Sequence, residues 1–422
     1  MIVIRHRHAA LLFAVAAIAM LGAAPTPVRP SVDPGFQPAP IVQAPTFVTP
    51  EVRTPATTPE DVPSSPLLPP GPSNRFRCPY DFWIASSRRC QQSHAKACFA
   101  GQLEYYHADS NNIFSKRDQP SFQQWLQPGV PVCIVVHGSY VQSTDLLDED
   151  PHMYQWIRGA APDRPLHIVF YSWPSDGPIT GLPPADVGIL GRRASFNALY
   201  LADLIASIPP HHSVCVVGHS HGARTVASAL HLLAGGEVQG HYMSRIPQQC
   251  ARLRAVLIAG ALDHHWIVPG QRYGRALYRV ESLLNVKNNH DIALNAYPFR
   301  RPFSHRALGE AGVQKRDRMG LGPLSPRILD LDVTAWIASG HLWYNYYQRP
   351  EIALALRPYF FFEETPRSPY PAYSWRANKL HVEQTGGNVP AVRPLTPSTS
   401  RQPVKPLHGS SDADPPPAAK RS

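Results

Sequence analysis

One serine lies between two histidines and two glycines, in Gly218-His219-Ser220-His221-Gly222. A serine hydroxyl attacks acyl groups once a base takes its proton, so this spacing marks Ser220 as a candidate nucleophile. The five-residue pattern alone decides little, because chains with ordinary glycine content also contain it by chance. Its setting decides more, since a buried apolar run precedes it and a helix-like segment that begins with small residues follows. The sequence therefore predicts a sharp strand-to-helix turn at Ser220.

The elements that must position this serine are visible as alternating strand-like and helix-like segments. Helical spacing of apolar residues marks 193–208 and 223–233 as helices, and 82–86 and 102–106 are expected as short leading strands. Unbroken apolar runs, typical of strands buried on both faces of a parallel sheet, occupy 132–136, 167–171, 213–217, 253–258, 283–286 and 328–333. This alternation predicts an α/β fold with a mostly parallel central sheet flanked by helices.

Two further sequence features accompany the turn at Ser220. His137-Gly138 follows the first buried run, and Phe-Tyr-Ser-Trp-Pro-Ser spans 170–175 after the second. With these features the sequence resembles the α/β-hydrolases, in their lipase/esterase-like branch, over roughly residues 130 to 350. The Trp-Pro-Ser turn is similar to one uncharacterised subfamily of that branch. The resemblance implies the α/β-hydrolase fold and a catalytic order along the chain of Ser, then Asp or Glu, then His.

The acid in this order has two candidates. Asp291 lies just past the run 283–286, where the resemblance places the acid, and it is the predicted residue. Asp263 lies after the run 253–258 and is the alternative, because some members of the fold place the acid there. A helix cap is the structural role open to Asp263.

The predicted base is His341, which follows the last strand-like run and is preceded by a glycine that lets its loop turn over the sheet edge. The rivals are His290, which adjoins Asp291, and His305, which precedes the last run and so lies in the wrong place. In this arrangement His341 takes the proton of Ser220, and Asp291 fixes the imidazole tautomer.

The resemblance also implies an oxyanion hole made of two backbone N–H groups. One donor is His221, the residue after the nucleophile, and the other lies in the loop after Gly138, at Ser139. His137 is expected to hold that loop rather than to take part in the reaction.

The 20 histidines invite a search for metal sites. His219 and His221 bracket a sharp turn and point in different directions, and adjacent residues such as His264-His265 rarely share one ion. No His-Glu-x-x-His motif occurs. We therefore predict no metal and no cofactor, and we expect His219 and His221 to pack beside the site and shape it.

Composition separates the ends of the chain from its middle, because the 47 prolines cluster at the two ends. Residues 1–24 show the positive, apolar and small-residue layout of a signal peptide, with a retained N-terminal anchor as the alternative. We predict a Pro-rich disordered linker at 25–74, an α/β-hydrolase domain at 75–384 and a disordered tail at 385–422. Export implies a secreted or periplasmic location, with loose attachment to the cell envelope through the N-terminus.

Charge and cysteines narrow the partners and the chemistry further. The net charge of +10 is scattered without a dense Lys/Arg run, so we expect no nucleic-acid binding. Export favours one disulfide among Cys78, Cys90 and Cys98, whose pairing the sequence leaves open. Cys133 and Cys215 lie in apolar runs and are expected as buried apolar residues.

The sequence thus predicts a serine hydrolase for a small-molecule or lipid-like acyl substrate, most favourably a carboxylic ester. The alternatives are an amide or thioester hydrolase, an acyltransferase, and a catalytically inactive hydrolase fold that serves as an envelope interaction module. Residues 299–327 form either a solvated loop or a lid, in which Arg300, Arg301 and Arg306 would favour an anionic substrate. Residues 174–190 are expected as a second wall of the pocket.

Overall fold

The computed structural model describes residues 81–90, 92, 102–111, 113–243, 252–300, 303–366 and 368–372. The predicted signal peptide, linker and tail lie outside these residues, as do Cys78 and Cys98. Within the described ranges, no helix combines the length and the apolar character that a membrane crossing requires.

Nine strands of the described chain form one sheet, in the order β3-β2-β1-β5-β4-β6-β7-β8-β9. β2 pairs antiparallel with β1 and β3, and every other neighbouring pair is parallel. The bounds are β1 Phe82–Ser86, β2 Glu104–Ala108, β3 Phe114–Arg117, β4 Val132–Val136, β5 His167–Ser172, β6 Ser213–His219, β7 Arg252–Ile258, β8 Ser282–Lys287 and β9 Ile328–Asp332. The predicted α/β fold with a mostly parallel sheet is confirmed.

Helices connect the parallel strands and cover both faces of the sheet. Their bounds are α1 Gln119–Trp125, α2 Ser143–Gly159, α3 Pro183–Ser207, α4 His221–Leu233, α5 Ala276–Arg279, α6 Ile292–Asn295, α7 Leu308–Ala311, α8 Lys315–Leu321, α9 Thr334–Ile337, α10 Trp343–Tyr347 and α11 Pro350–Phe360. Short 3₁₀ turns occupy His264–Ile267, Tyr297–Arg300 and Gly322–Arg327.

The α3 helix corrects one prediction, since it begins at Pro183 and not at residue 193. The second half of the expected wall at 174–190 is therefore helical. Proline suits the first turn of a helix, where its missing N–H is not needed. Gly188 and Gly191 interrupt the helical spacing of apolar residues, so the sequence did not predict the first three turns of this helix.

Side chains of the buried strands alternate between two cores, one on each face of the sheet. Along β4, Val132, Ile134 and Val136 pack with α3 and α4, whereas Cys133 and Val135 pack with α2 and α11. Both faces are buried, which explains why these strands read as unbroken apolar runs.

The described cysteines are free thiols. Cys133 and Cys215 are register partners on β4 and β6 and fully buried, as expected. Cys90 is also buried, and its thiol lies 3.0 Å from the carbonyl oxygen of Gln102.

Candidate active site

Ser220 lies between β6 and α4 in a backbone conformation that L-residues rarely adopt, with φ 54° and ψ −120°. Such a conformation costs about 1–3 kcal/mol and persists only where the surroundings impose it. Here the backbone N–H of Ser220 donates to the carbonyl of Ile258, and its carbonyl accepts from the N–H of Ala261, at 2.9 and 3.0 Å. The loop after β7 therefore holds the strained turn, and the side chain projects at the carboxyl end of β6.

The two glycines of the motif are required by close backbone approach. A Cβ on Gly218 would lie 2.5 Å from the carbonyl oxygen of Gly222, and a Cβ on Gly222 would lie 2.3 Å from that of Val136. Both distances are far below van der Waals contact. The turn packs directly against itself and against the end of β4, so only glycine fits at either position.

The structure brings Ser220, His341 and Asp291 into one hydrogen-bonded chain. Ser220 Oγ lies 3.0 Å from His341 Nε2, and His341 Nδ1 lies 2.7 Å from Asp291 Oδ2. Because a carboxylate only accepts, His341 carries its proton on Nδ1, and Nε2 is left to accept from the serine hydroxyl. Asp291 is fully buried and also accepts the backbone N–H of Leu294, so its position is fixed.

Asp263, the alternative acid, has other partners. It is buried, binds the Arg300 guanidinium and accepts the Tyr297 hydroxyl at 3.1 Å. Both ring nitrogens of His341 are already used by Ser220 and Asp291. Geometry therefore favours Asp291 over Asp263 as the residue that orients the histidine.

The sequence analysis missed Asn288, which positions the loop that carries His341. Its buried amide donates to the carbonyls of Ala338 and Gly340, at 2.8 and 3.1 Å. Because Asn288 and Asp291 lie on the same turn after β8, that turn fixes both the acid and the loop of the base. An asparagine three residues before the predicted acid was the available signal.

His219 also holds this loop from the other side. Its Nε2 donates to the carbonyl of His341 at 2.7 Å, and its ring stacks on Trp343 with centroids 4.9 Å apart. Burial, with a smaller effect of His341, lowers the pKa of His219 to about 3, so the ring stays neutral. The expectation that His219 packs beside the site matches this placement.

The loop after β4 lies against the nucleophile. A Cβ on Gly138 would stand 3.1 Å from Cβ of Ser220, and the Ser139 hydroxyl lies 2.6 Å from His221 Nδ1. His221 is the first residue of α4, where backbone N–H groups have no partner within the helix. The two residues predicted to donate to an oxyanion therefore lie next to Ser220 and to each other.

His137 fixes that loop through Trp173. Nε2 of His137 accepts the Trp173 backbone N–H at 3.2 Å, and the indole N–H donates to the His137 carbonyl at 2.9 Å. Burial lowers the pKa of His137 to about 3, with a contribution from Arg88. The ring is therefore neutral, and its Nδ1 donates to the Gly138 carbonyl at 2.9 Å, which fits the structural role expected for His137.

Arg224, one turn into α4, was also missed. It is buried, and its Nε donates to the hydroxyls of Ser195 and Tyr273 at 2.9 and 3.2 Å. No carboxylate of the described residues forms an ion pair with it. Burial lowers the pKa of His221 well below the usual value, and the Arg224 charge adds to this effect.

The described part of the 299–327 segment is packed against the sheet. The N–H of Leu308 donates to the Leu262 carbonyl at 2.7 Å, and the Gly309 carbonyl accepts from the N–H of Asn288 at 2.9 Å. Arg300 is bound to Asp263, and Arg306 to Glu310. These two arginines therefore serve internal ion pairs, and Arg301 lies outside the described residues.

Comparisons with known proteins add resemblances of fold only. No family model and no curated protein matches the chain. Solved structures with similarity include a gene product of Listeria innocua, at 12% identity, 57% of this chain, 96% of that chain and TM-score 0.32. Zea mays acyl-protein thioesterase 2 has 15% identity over 49% of this chain and 87% of that chain, with a TM-score of 0.29. A thermostable carboxylesterase from a metagenomic library has 11% identity over 67% of this chain and 88% of that chain, with a TM-score of 0.29.

Likenesses this weak carry no argument about activity. The α/β-hydrolase fold follows from the sheet order and from the strained serine between β6 and α4.

Proposed function

We propose that this chain is a serine hydrolase that cleaves an acyl bond, with Ser220 as nucleophile, His341 as general base and Asp291 as the orienting acid. One observation carries the proposal: two short hydrogen bonds link these three side chains at a strained strand-to-helix turn. Strained backbone of this kind is typical of functional sites, and here it presents the Ser220 hydroxyl to a base.

The reaction follows from the geometry. His341 Nε2 takes the Ser220 proton while Oγ adds to the substrate carbonyl, and Asp291 stabilises the imidazolium that forms. The backbone N–H groups of His221 and Ser139 donate to the oxyanion of the tetrahedral intermediate. The intermediate collapses as His341 returns the proton to the leaving group. Water then attacks the acyl-enzyme by the same steps and releases the acid.

Carboxylic esters are the substrate class we favour. An ester carbonyl is more electrophilic than an amide carbonyl and its alkoxide departs more readily than an amine, so a triad without any further activating group suits an ester. Amides, thioesters and transfer to another acceptor use the same steps and form the second candidate class.

A fluorophosphonate probe tests the proposal directly, because it reacts with activated serines. Wild-type protein is expected to be labelled stoichiometrically and Ser220→Ala to remain unlabelled. Ser228→Ala is the matched control, since Ser228 is another buried serine, on the helix α4 that follows Ser220, and its loss should leave labelling intact. If wild type is not labelled, the chain is an inactive member of the fold and the proposal is wrong.

A panel of p-nitrophenyl esters of increasing chain length, beside matched anilides and thioesters, separates the substrate classes. Ester turnover that disappears in Ser220→Ala supports the favoured class. Turnover of anilides or thioesters alone would keep the serine mechanism and reject the ester.

A further inference from the structure

Three histidines meet in space although 40 residues separate one from the other two. His264 and His265 lie in the 3₁₀ turn after β7, and His305 lies just before α7. One ring nitrogen of each lies within 4.8 Å of those of the other two. The sequence predicted no metal at the adjacent pair, because adjacent histidines rarely share one ion and no His-Glu-x-x-His motif occurs.

A buried carboxylate orients the first of these rings. Nδ1 of His264 lies 2.6 Å from Asp317 Oδ2, and Asp317 is itself held by the backbone N–H of Gln314 at 3.1 Å. A carboxylate on one nitrogen fixes the tautomer of a histidine and leaves the other nitrogen free to bind a metal. Here Nε2 of His264 is that free nitrogen.

The second ring carries a buried nitrogen without a partner. Nδ1 of His265 is buried, and the described residues provide no hydrogen bond to it. An unsatisfied buried polar atom costs about 1–3 kcal/mol, so it calls for a ligand. A neutral imidazole is the form that binds a metal.

From this cluster we propose that His264, His265 and His305 bind a divalent transition-metal ion of the Zn²⁺ class, with Asp317 positioning His264. Imidazole suits Zn²⁺ and its neighbours, whereas Mg²⁺ and Ca²⁺ prefer oxygen ligands. A tetrahedral ion with bonds of about 2.0–2.1 Å needs its nitrogens about 3.4 Å apart. Small side-chain rotations reach this spacing, and His305 is exposed and free to make them. A water molecule fills the fourth position.

The site has a structural purpose that the serine chemistry does not require. It fastens the segment around His305 to the turn that begins at His264, and the same segment holds Asn288 through Gly309. None of the proposed metal ligands takes part in the hydrolytic reaction. A failure to bind metal would therefore leave the proposed hydrolase activity untouched, and the reverse also holds.

Zinc titration of the full chain tests the site. The protein carries a tag without histidine, is stripped with a chelator and is titrated with Zn²⁺ in a calorimeter. Wild type is expected to bind one ion with Kd of about 1 µM or tighter. His305→Ala should weaken binding at least tenfold, and Asp317→Asn by about 10- to 100-fold. Co²⁺ should give the visible absorption of a tetrahedral site in wild type but not in His305→Ala.

His211→Ala is the matched control, because His211 is also an exposed histidine beside another histidine. The ring centroids of His211 and His212 are 4.3 Å apart. This variant should bind Zn²⁺ as wild type does. Zn²⁺ should also raise the Tm of wild type and of this control, but not of His305→Ala. Absence of binding to wild type, or equal binding by His305→Ala, overturns the proposal. Labelling of Ser220 by the fluorophosphonate probe is measured separately for wild type and for His305→Ala.

Discussion

Two buried aspartates follow neighbouring strands, and their contacts give them different tasks. Asp291, after β8, accepts from His341, whereas Asp263, after β7, binds Arg300. Either position suits the acid of this fold when only the chain order is known. The partner that decides between them, Arg300, is 37 residues away from Asp263 along the chain.

Asp291→Asn should reduce kcat by about 10⁴-fold, because the amide cannot hold His341 in the tautomer that accepts the serine proton. The Tm should change little, since asparagine still caps α6 through the N–H of Leu294. The measurement is ester turnover under saturation, with a thermal melt on the same sample.

Asp263→Asn should behave in the opposite way. Arg300 is 4% exposed in its side chain, so loss of its partner leaves a buried charge and lowers the free energy of unfolding by about 3–5 kcal/mol. The turnover of the folded fraction should stay near that of wild type. A large loss of kcat in Asp263→Asn, together with a normal kcat in Asp291→Asn, would exchange the two roles.

Asp150 on α2 is a residue whose burial works against stability. Both carboxyl oxygens are buried without a hydrogen bond from the described residues. Burial raises its pKa well above the usual value, Glu149 raises it further, and Arg88 opposes the shift. Because the folded pKa lies above the unfolded one, the stability this group contributes at low pH is lost as the pH rises.

Asp150→Asn should therefore stabilise the protein at pH 8, because the neutral amide does not suffer the desolvation that disfavours the buried carboxylate. The difference from wild type should shrink as the pH falls toward and below 4, because the carboxyl of the unfolded chain then becomes protonated as well. Urea unfolding of both proteins at pH 8 and pH 5 measures this. A difference that is the same at both pH values would show that Asp150 does not titrate in this way.

At the scale of elements, the strained turn depends on the contact between α4 and the end of β4. Gly222→Ala should prevent soluble folding, because its Cβ would lie 2.3 Å from the Val136 carbonyl oxygen and 2.5 Å from that of His137. Gly188→Ala, inside α3 with no atom near its new Cβ, is the control and should stabilise the helix by up to about 1 kcal/mol. Expression and thermal melts distinguish them, and a stable, active Gly222→Ala protein would contradict the packing argument.

Elements could be predicted where burial on both sides imposed an unbroken apolar run. The six central strands follow such runs, and the bounds agree to within two residues. The edge strand β3 was not predicted, because Phe114–Arg117 is short and three of its four residues are polar. The helix α2 was also missed, since Pro151 and several acidic residues interrupt its pattern.

The candidate site divides in the same way. Ser220, Asp291 and His341 could be predicted because they follow β6, β8 and β9 in the chain order that the resemblance implies. Asn288 and Arg224 could not, since their partners come from loops and helices that are distant in sequence. The cluster of His264, His265 and His305 was invisible for the same reason: only the packing of the segment around α7 onto the loop after β7 brings it together.

At the scale of the whole molecule, burial removes four imidazole rings from water, and this desolvation disfavours their protonated, charged form. Burial lowers the pKa to about 3 for His137 and His219, to about 4 for His167, and far below the usual value for His221. The unfolded chain binds protons at these rings near pH 6.5, whereas the folded protein does not. The stability that these rings contribute is therefore complete above pH 6.5 and is lost as the pH falls toward 4 and below.

We expect the free energy of unfolding to fall between pH 6.5 and 4 by up to about 1.4 kcal/mol per pH unit for each buried histidine. His167→Gln isolates one contribution, because His167 lies at the far end of β5 from Ser220 and only accepts the backbone N–H of Gln127, at 2.8 Å, which an amide oxygen can also do. The free energy of unfolding of the variant should fall less steeply with decreasing pH, by the contribution of one histidine. Its ester turnover should be unchanged. Urea unfolding at half-unit steps of pH gives both slopes, and identical slopes would mean that His167 is protonated equally in the folded and unfolded states.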